Sequence, residues 1–367
     1  MNVESNTLLL YLIICFNAWA FGTLSQYRNK KINKLFFFAA FFFVWFFYAF
    51  SKTGTDYGEY KYIFNVVSWN NFASLWIEPG YALLNVVTKQ FTTDPVVAIV
   101  LIKSLIIILF FKTIYDFSDR IDVGFSLLAY CTLAYFDAFC MIRIHLSAAL
   151  ILFGIDLFCN YRKKIFPAIL FIISISIHYS SIIFVIVAII SISIVRKKIE
   201  VRKFMILCAI LVGAWVVAIP LLNLMITHIS FLNKYASKYI SINSFGVGQL
   251  IYHLPLILGI YYLWKYRYKF KGIDDKLYSI GIMLMPFSLF FGCMGYKYEV
   301  IGRTFVFFLF DWIIFLPALL KGKTVFKMNQ STRLIIKLIV FVYFLIRFWL
   351  YISIQNAGLE TFSFIWF

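Results

Sequence analysis

Apolar runs close to twenty residues long recur along the whole chain, and this recurrence limits the possible folds more than any other feature. The runs fall at about 7–25, 35–50, 94–115, 123–140, 142–159, 165–195, 204–227, 249–264, 277–294, 303–320 and 334–353. A helix of about 20 apolar residues covers the roughly 30 Å hydrocarbon core of a bilayer, and in hydrocarbon only helices and closed barrels satisfy every backbone polar group. The 165–195 run is too long for one ordinary helix and lies between YRKK and RKK, so it is expected to enter and return as a tight hairpin near His178. The expected fold is all-α: a polytopic integral membrane protein of about twelve (10 to 12) transmembrane segments, forming one membrane domain over 1–367. With 63% hydrophobic and only 14% charged residues, no room remains for a sizeable soluble domain. The first run has neither a basic leader nor a small-residue cleavage site and is expected to be retained as a helix.

The net charge of +18 does not point to nucleic acid, because the basic residues are divided among short clusters between apolar runs. Six loops, 26–34, 112–122, 161–164, 196–203, 265–276 and 321–337, hold 24 of the 34 Lys and Arg residues. Basic loops face the cytoplasm. Both termini and the segments 51–93, 228–248 and 295–302 are therefore expected outside, the last three framing a substrate cavity with short interfacial helices. The six cysteines are scattered without the close spacing of metal or redox motifs, and are expected to be inert buried thiols.

Five constellations on the outer side carry possible chemistry. In DYGEY, Asp56 and Tyr60 stand four apart and share one helix face with Phe64; simple solvation of the acids is the plainer reading. In WIEPGY, Pro79 disfavours helix at Glu78 but suits the first turn of the next helix, which places Glu78 just before a short half-inserted helix. Arg143 in MIRIHLSAAL lies between two apolar runs, where an arginine is either functional or snorkels to the interface. His145, two positions on, points to another face. His178 in SISIHYSS sits at the expected hairpin turn and suits proton transfer near neutral pH. Arg303 opens a late apolar helix, with Asp311 two turns deeper. A guanidinium matches phosphate oxygens with a fixed fork of donors, so Arg143 and Arg303 together suit a diphosphate.

The ordered set DY..Y, EPGY, R.HLSAAL, IHYSS and GR resembles the EpsG-type and Wzy-type polysaccharide polymerases, over about 56–182 by motif and elsewhere by helix count. The resemblance implies an O-antigen or exopolysaccharide polymerase that joins undecaprenyl diphosphate-linked oligosaccharide repeats at the periplasmic face of a bacterial inner membrane. Within it, His178, Asp56 or Glu78 would be the base, Arg143 and Arg303 would hold the diphosphate, and Tyr57, Tyr60 and Trp76 would stack on sugar. Asp56, Glu59 and Glu78 could bind a divalent metal, but no tight oxygen-ligand motif is present, and a metal-independent glycosyltransferase without cofactor is expected. Its partners would be the lipid-linked oligosaccharide and membrane lipid, with a chain-length regulator and a flippase alongside. Two other readings stay open: a lipid-linked oligosaccharide flippase, and an O-antigen ligase-like glycosyltransferase.

Overall fold

A computed structural model describes residues 3–27, 32–72, 76–195, 201–228, 252–265, 276–294, 303–321, 329–354 and 358–366. Apart from His228, the expected outer segments 228–248 and 295–302 lie outside the described residues. The chain divides into two compact units, Met1–Ile182 with Trp312–Phe367, and Ile183–Asp311. Among the described residues every extended element is helical, save one isolated antiparallel bridge between Ser51 and Phe364.

The first unit runs through α1 (Ser5–Ser25), α2 (Lys34–Ala49), α3 (Tyr57–Val66), α4 (Pro79–Thr88), α5 (Pro95–Asp116), α6 (Val123–Tyr130), α7 (Ile142–Asn160) and α8 (Ile165–Ile177). A π turn at Cys131–Tyr135 and a 3-10 turn at Asp137–Phe139 join α6 to α7. After His178 comes α9 (Ser181–Val195), then α10 (Val201–His228), α11 (Leu254–Lys265), α12 (Lys276–Met294) and a 3-10 turn at Arg303–Phe308. A π turn at Asp311–Phe315, α13 (Leu316–Lys321) and α14 (Gln330–Ile354) complete the order. Six helices among the described residues are long and apolar enough to cross a membrane, and four apolar helices are shorter. The apolar stretch of α7 is 83% buried against 22% for α14, so α7 is central and α14 peripheral. α7 packs on α5 and α8, α4 packs on α8, α3 on α5, and α1 on α2 and α6.

Local sequence explains the helix starts. Pro79 and Pro95 occupy first-turn positions, where the missing N–H costs nothing. Asp94 and Asp122 cap α5 and α6 by accepting from Val96 N at 2.8 Å and Phe125 N at 3.2 Å. Two tyrosine hydroxyls tie the irregular segment between α6 and α7 to the backbone and side chains of α2. Tyr48 donates to Ala138 O at 3.0 Å, and Tyr135 donates to Val44 O at 2.9 Å.

The long apolar run at 165–195 is interrupted where the sequence suggests. α8 ends at Ile177, His178 is extended at φ −151° and ψ 108°, and α9 begins at Ser181.

The two ends of the first unit differ in what they gather. At one end the N-terminus, the segment after α2 and the C-terminal strap meet: Glu4 N donates to Glu360 O at 3.0 Å and Lys52 N to Ser363 O at 2.9 Å. Gly54, at φ +112°, lies so close to Phe139 O that a Cβ would approach it to 2.4 Å, which makes glycine a requirement there. At the other end the basic loops meet. Gln26 donates to Ser118 O and Ile121 O, Lys321 donates to Ser118 O, and Lys337 pairs with Asp122.

Candidate active site

Glu78 holds the polar group on which the functional reading turns. It precedes Pro79 at the head of α4 with an extended ψ of 132°, and its side chain does not cap its own helix. The carboxylate reaches across to two other helices. Arg143 Nη1, in the first turn of α7, stands 2.5 Å from Glu78 Oε2, and His178 Nδ1, at the end of α8, stands 2.9 Å from Glu78 Oε1. One acid thus joins residues 65 and 100 positions away.

Small residues allow this approach. A Cβ on Gly80 would come within 2.6 Å of the Ser176 carbonyl carbon and 2.1 Å of its Oγ. Only glycine lets α4 lie this close to α8, and that contact brings Glu78 to His178. Tyr81, 1% exposed, places its ring under the Arg143 guanidinium with 5.8 Å from Cζ to the ring centroid, within cation–π range.

The set is partly open. The side chains of Arg143 and His178 are each 24% exposed and that of Glu78 is 12% exposed. Burial pushes the Glu78 carboxyl upward, but the His178 hydrogen bond and the Arg143 charge together outweigh it, so its pKa lies below the usual glutamate value. Glu78 is therefore an anion at neutral pH. A carboxylate only accepts hydrogen bonds, so the proton of a neutral His178 sits on Nδ1 and the lone pair on Nε2. That tautomer suits His178 to take a proton from a hydroxyl group.

The other expected residues fall elsewhere. Asp56 heads α3 and accepts from Thr55 Oγ1 at 3.1 Å, outside the Glu78 contacts. Trp76 is 65% exposed, and Tyr57 is half-buried with its ring 5.6 Å from Lys103 Nζ. Tyr60 requires a correction: it is 3% exposed, and its hydroxyl is bonded to Cys140 O and Ile142 N, so it presents no ring face to a sugar. The polar pattern that suggested an outer binding surface is in fact the buried side of α3. Arg303 is half-buried at the start of its 3-10 turn in the second unit.

Two further groups carry charged residues to which the sequence assigns no role. A second imidazole–carboxylate pair lies on the α14 side of α7: His145 Nε2 is 3.1 Å from Asp137 Oδ2, and Tyr351 donates to Asp137 Oδ1 at 3.0 Å. The eight-residue separation of Asp137 and His145 across an irregular turn follows no helical period. Lys103 is fully buried, donates to Ser51 O at 2.8 Å, and faces the rings of Tyr48, Tyr57 and Phe139. Among the described residues no three His, Cys, Asp or Glu side chains group as a metal site would.

The model of the EpsG family matches residues 34–365, nearly the whole chain and all of the Glu78, Arg143 and His178 set. No curated protein and no solved structure gives a significant match. The family and the apolar helices together mark a membrane-embedded protein with a polymerase-type role in polysaccharide biosynthesis. By its sequence, the chain belongs to the EpsG family.

Proposed function

We propose that the protein polymerises a bacterial polysaccharide by joining undecaprenyl diphosphate-linked oligosaccharide repeats at the periplasmic face of the inner membrane, which it would cross with about twelve segments. The observation that carries this reading is the single carboxylate shared by an arginine and a histidine from different helices. Glycosyl transfer from a lipid diphosphate needs a cation for the departing diphosphate and an acceptor for one hydroxyl proton. Arg143 supplies the first and His178 the second.

In the reaction, the terminal sugar hydroxyl of one repeat attacks the anomeric carbon that joins the growing chain to its lipid diphosphate. The new C–O bond forms as the bond to the diphosphate oxygen breaks, and the bonding electrons leave with the diphosphate. His178 Nε2 takes the hydroxyl proton. Glu78 holds the Nδ1–H and stabilises the imidazolium that results, while Arg143 meets the charge developing on the leaving group. Tyr57 and Trp76 remain the aromatic groups for sugar contact.

The test is a purified, liposome-embedded protein given a synthetic lipid-linked repeat, with chain extension and lipid diphosphate release measured together. One released diphosphate per added repeat is expected. Transfer only to a lipid A core acceptor would make the protein a ligase, and movement of intact lipid between leaflets without bond formation would make it a flippase.

A further inference from the structure

We propose that Tyr60 is a positioning residue for Arg143, working from α3 through the backbone at the start of α7; the proposal rests on the reading of Arg143 as the diphosphate-binding cation. The first N–H groups of a helix have no partner inside it and are usually met by the side chain of the N-cap residue. The N-cap of α7 is Met141, whose side chain makes no capping bond. Tyr60 takes over the task from a distant part of the chain. Its hydroxyl accepts from Ile142 N at 3.0 Å and donates to Cys140 O at 2.9 Å, and so spans the non-helical Met141 at φ −108° and ψ 59°. Arg143 is the next residue after Ile142.

A second contact runs to the same guanidinium. The Tyr60 ring meets the Tyr81 ring edge-on at 6.1 Å, and Tyr81 lies beneath Arg143. The helix carrying Tyr60 is itself held in place. Lys89, at the end of α4, donates to Asn65 O at 3.1 Å and to Val67 O at 2.5 Å, the carbonyls at the C-terminal end of α3. Glu78 and Lys89 flank α4, so the helix that supplies the carboxylate for Arg143 also fixes the helix that aims it. With 3% exposure and its hydroxyl bonded to backbone on both sides, Tyr60 reaches substrate only through Arg143.

Two measurements on protein in lipid nanodiscs test this, using Tyr60→Phe, Tyr11→Phe, Arg143→Ala and the Tyr60→Phe, Arg143→Ala double variant. The first is binding of inorganic pyrophosphate. Loss of the hydroxyl should weaken binding roughly tenfold, the equivalent of about one hydrogen bond, whereas Tyr11→Phe, which loses a buried hydroxyl bond to Leu359 O outside the site, should bind as the wild type does. In the Arg143→Ala background Tyr60→Phe should have no further effect, because a residue acting through Arg143 has nothing left to act on. The second needs no ligand: modification of Arg143 by an arginine-specific dicarbonyl, followed by peptide mass spectrometry, should change rate several-fold in Tyr60→Phe and stay constant in Tyr11→Phe. If wild-type protein ignores pyrophosphate but the modification rate changes as expected, the diphosphate reading fails and the positioning role stands. Equal effects of Tyr60→Phe with and without Arg143, or an unchanged modification rate, would overturn the positioning role.

Discussion

Two imidazole–carboxylate pairs flank α7, and they are built for different ends. His145 and Asp137 lie eight residues apart; His145 is wholly buried, and Tyr351 takes the other carboxylate oxygen. His178 and Glu78 lie a hundred residues apart, both are partly exposed, and the second carboxylate oxygen goes to an arginine. The first pair ties the start of α7 to α14. The second brings a cation and an imidazole together on one carboxylate in a membrane protein, where unneeded charge is costly. Partly buried charges gain a fold little net stability, because desolvation offsets their attraction, so the presence of this set is better explained by chemistry than by packing.

The comparison can be broken most severely at Glu78 and His178. His178→Ala is expected to lower polymer formation at least about a hundredfold, the usual loss on removing a general base. Glu78→Ala should match it, since it also leaves Arg143 unpaired. Thermal melting in detergent should fall by far less than the activity does, and comparable losses of folding and activity would place both residues among structural groups. Arg143→Lys ranks next, with an expected loss of roughly tenfold or more, because a point charge replaces the two-pronged donor. Full activity of the correctly inserted lysine variant would remove the diphosphate role.

Gly80→Ala probes the approach that assembles the set. The added methyl must push α4 from α8, at a cost of about 1–3 kcal/mol, with activity falling as Glu78 moves off His178. An unchanged melting curve together with unchanged activity would show that the close contact is dispensable. The first pair should respond in the opposite sense. Asp137→Asn or His145→Phe is expected to cost about 1–3 kcal/mol of stability through a broken buried hydrogen bond, with activity per folded molecule within twofold of wild type. A hundredfold activity loss there would erase the distinction between the pairs.

The smallest effect concerns pH. The folded-state pKa of Glu78 lies below the unfolded value of 4.5, so its contribution to stability is fully present above about 4.5 and is lost as pH falls through the lower folded value. Acid melting curves of wild type and Glu78→Gln should therefore converge in that range, and a wild-type curve already flat there would argue against the ion pair.

Much of the local framework of the site is legible in the sequence. Pro79 announces the start of α4 and leaves Glu78 outside it, and the overlong apolar run breaks at His178. These signals are local, set by the fixed φ of proline and by the length of a helix relative to a bilayer. What joins Glu78 to Arg143 and His178 is not local, and no period in the sequence encodes it. Gly80 carries a faint trace, since glycine in a first helical turn often marks a close approach, but nothing names Ser176 as the neighbour. Tyr60 shows the opposite difficulty. Its spacing from Asp56 and Phe64 correctly identifies one face of α3, yet in a membrane protein an amphipathic face with tyrosines suits either the water interface or a polar interior. The irregular backbone at Cys140–Ile142, which needs a buried hydroxyl, decides between them and is invisible to periodicity.

The most direct test of the account is the product ladder formed from a synthetic undecaprenyl diphosphate-linked repeat by purified wild-type, Glu78→Gln, His178→Ala, Arg143→Ala and His145→Phe proteins in liposomes. The account predicts a ladder for the wild type and for His145→Phe, and none for the other three. A ladder that survives in Glu78→Gln and His178→Ala but disappears in His145→Phe would contradict it and move the chemistry to the other side of α7.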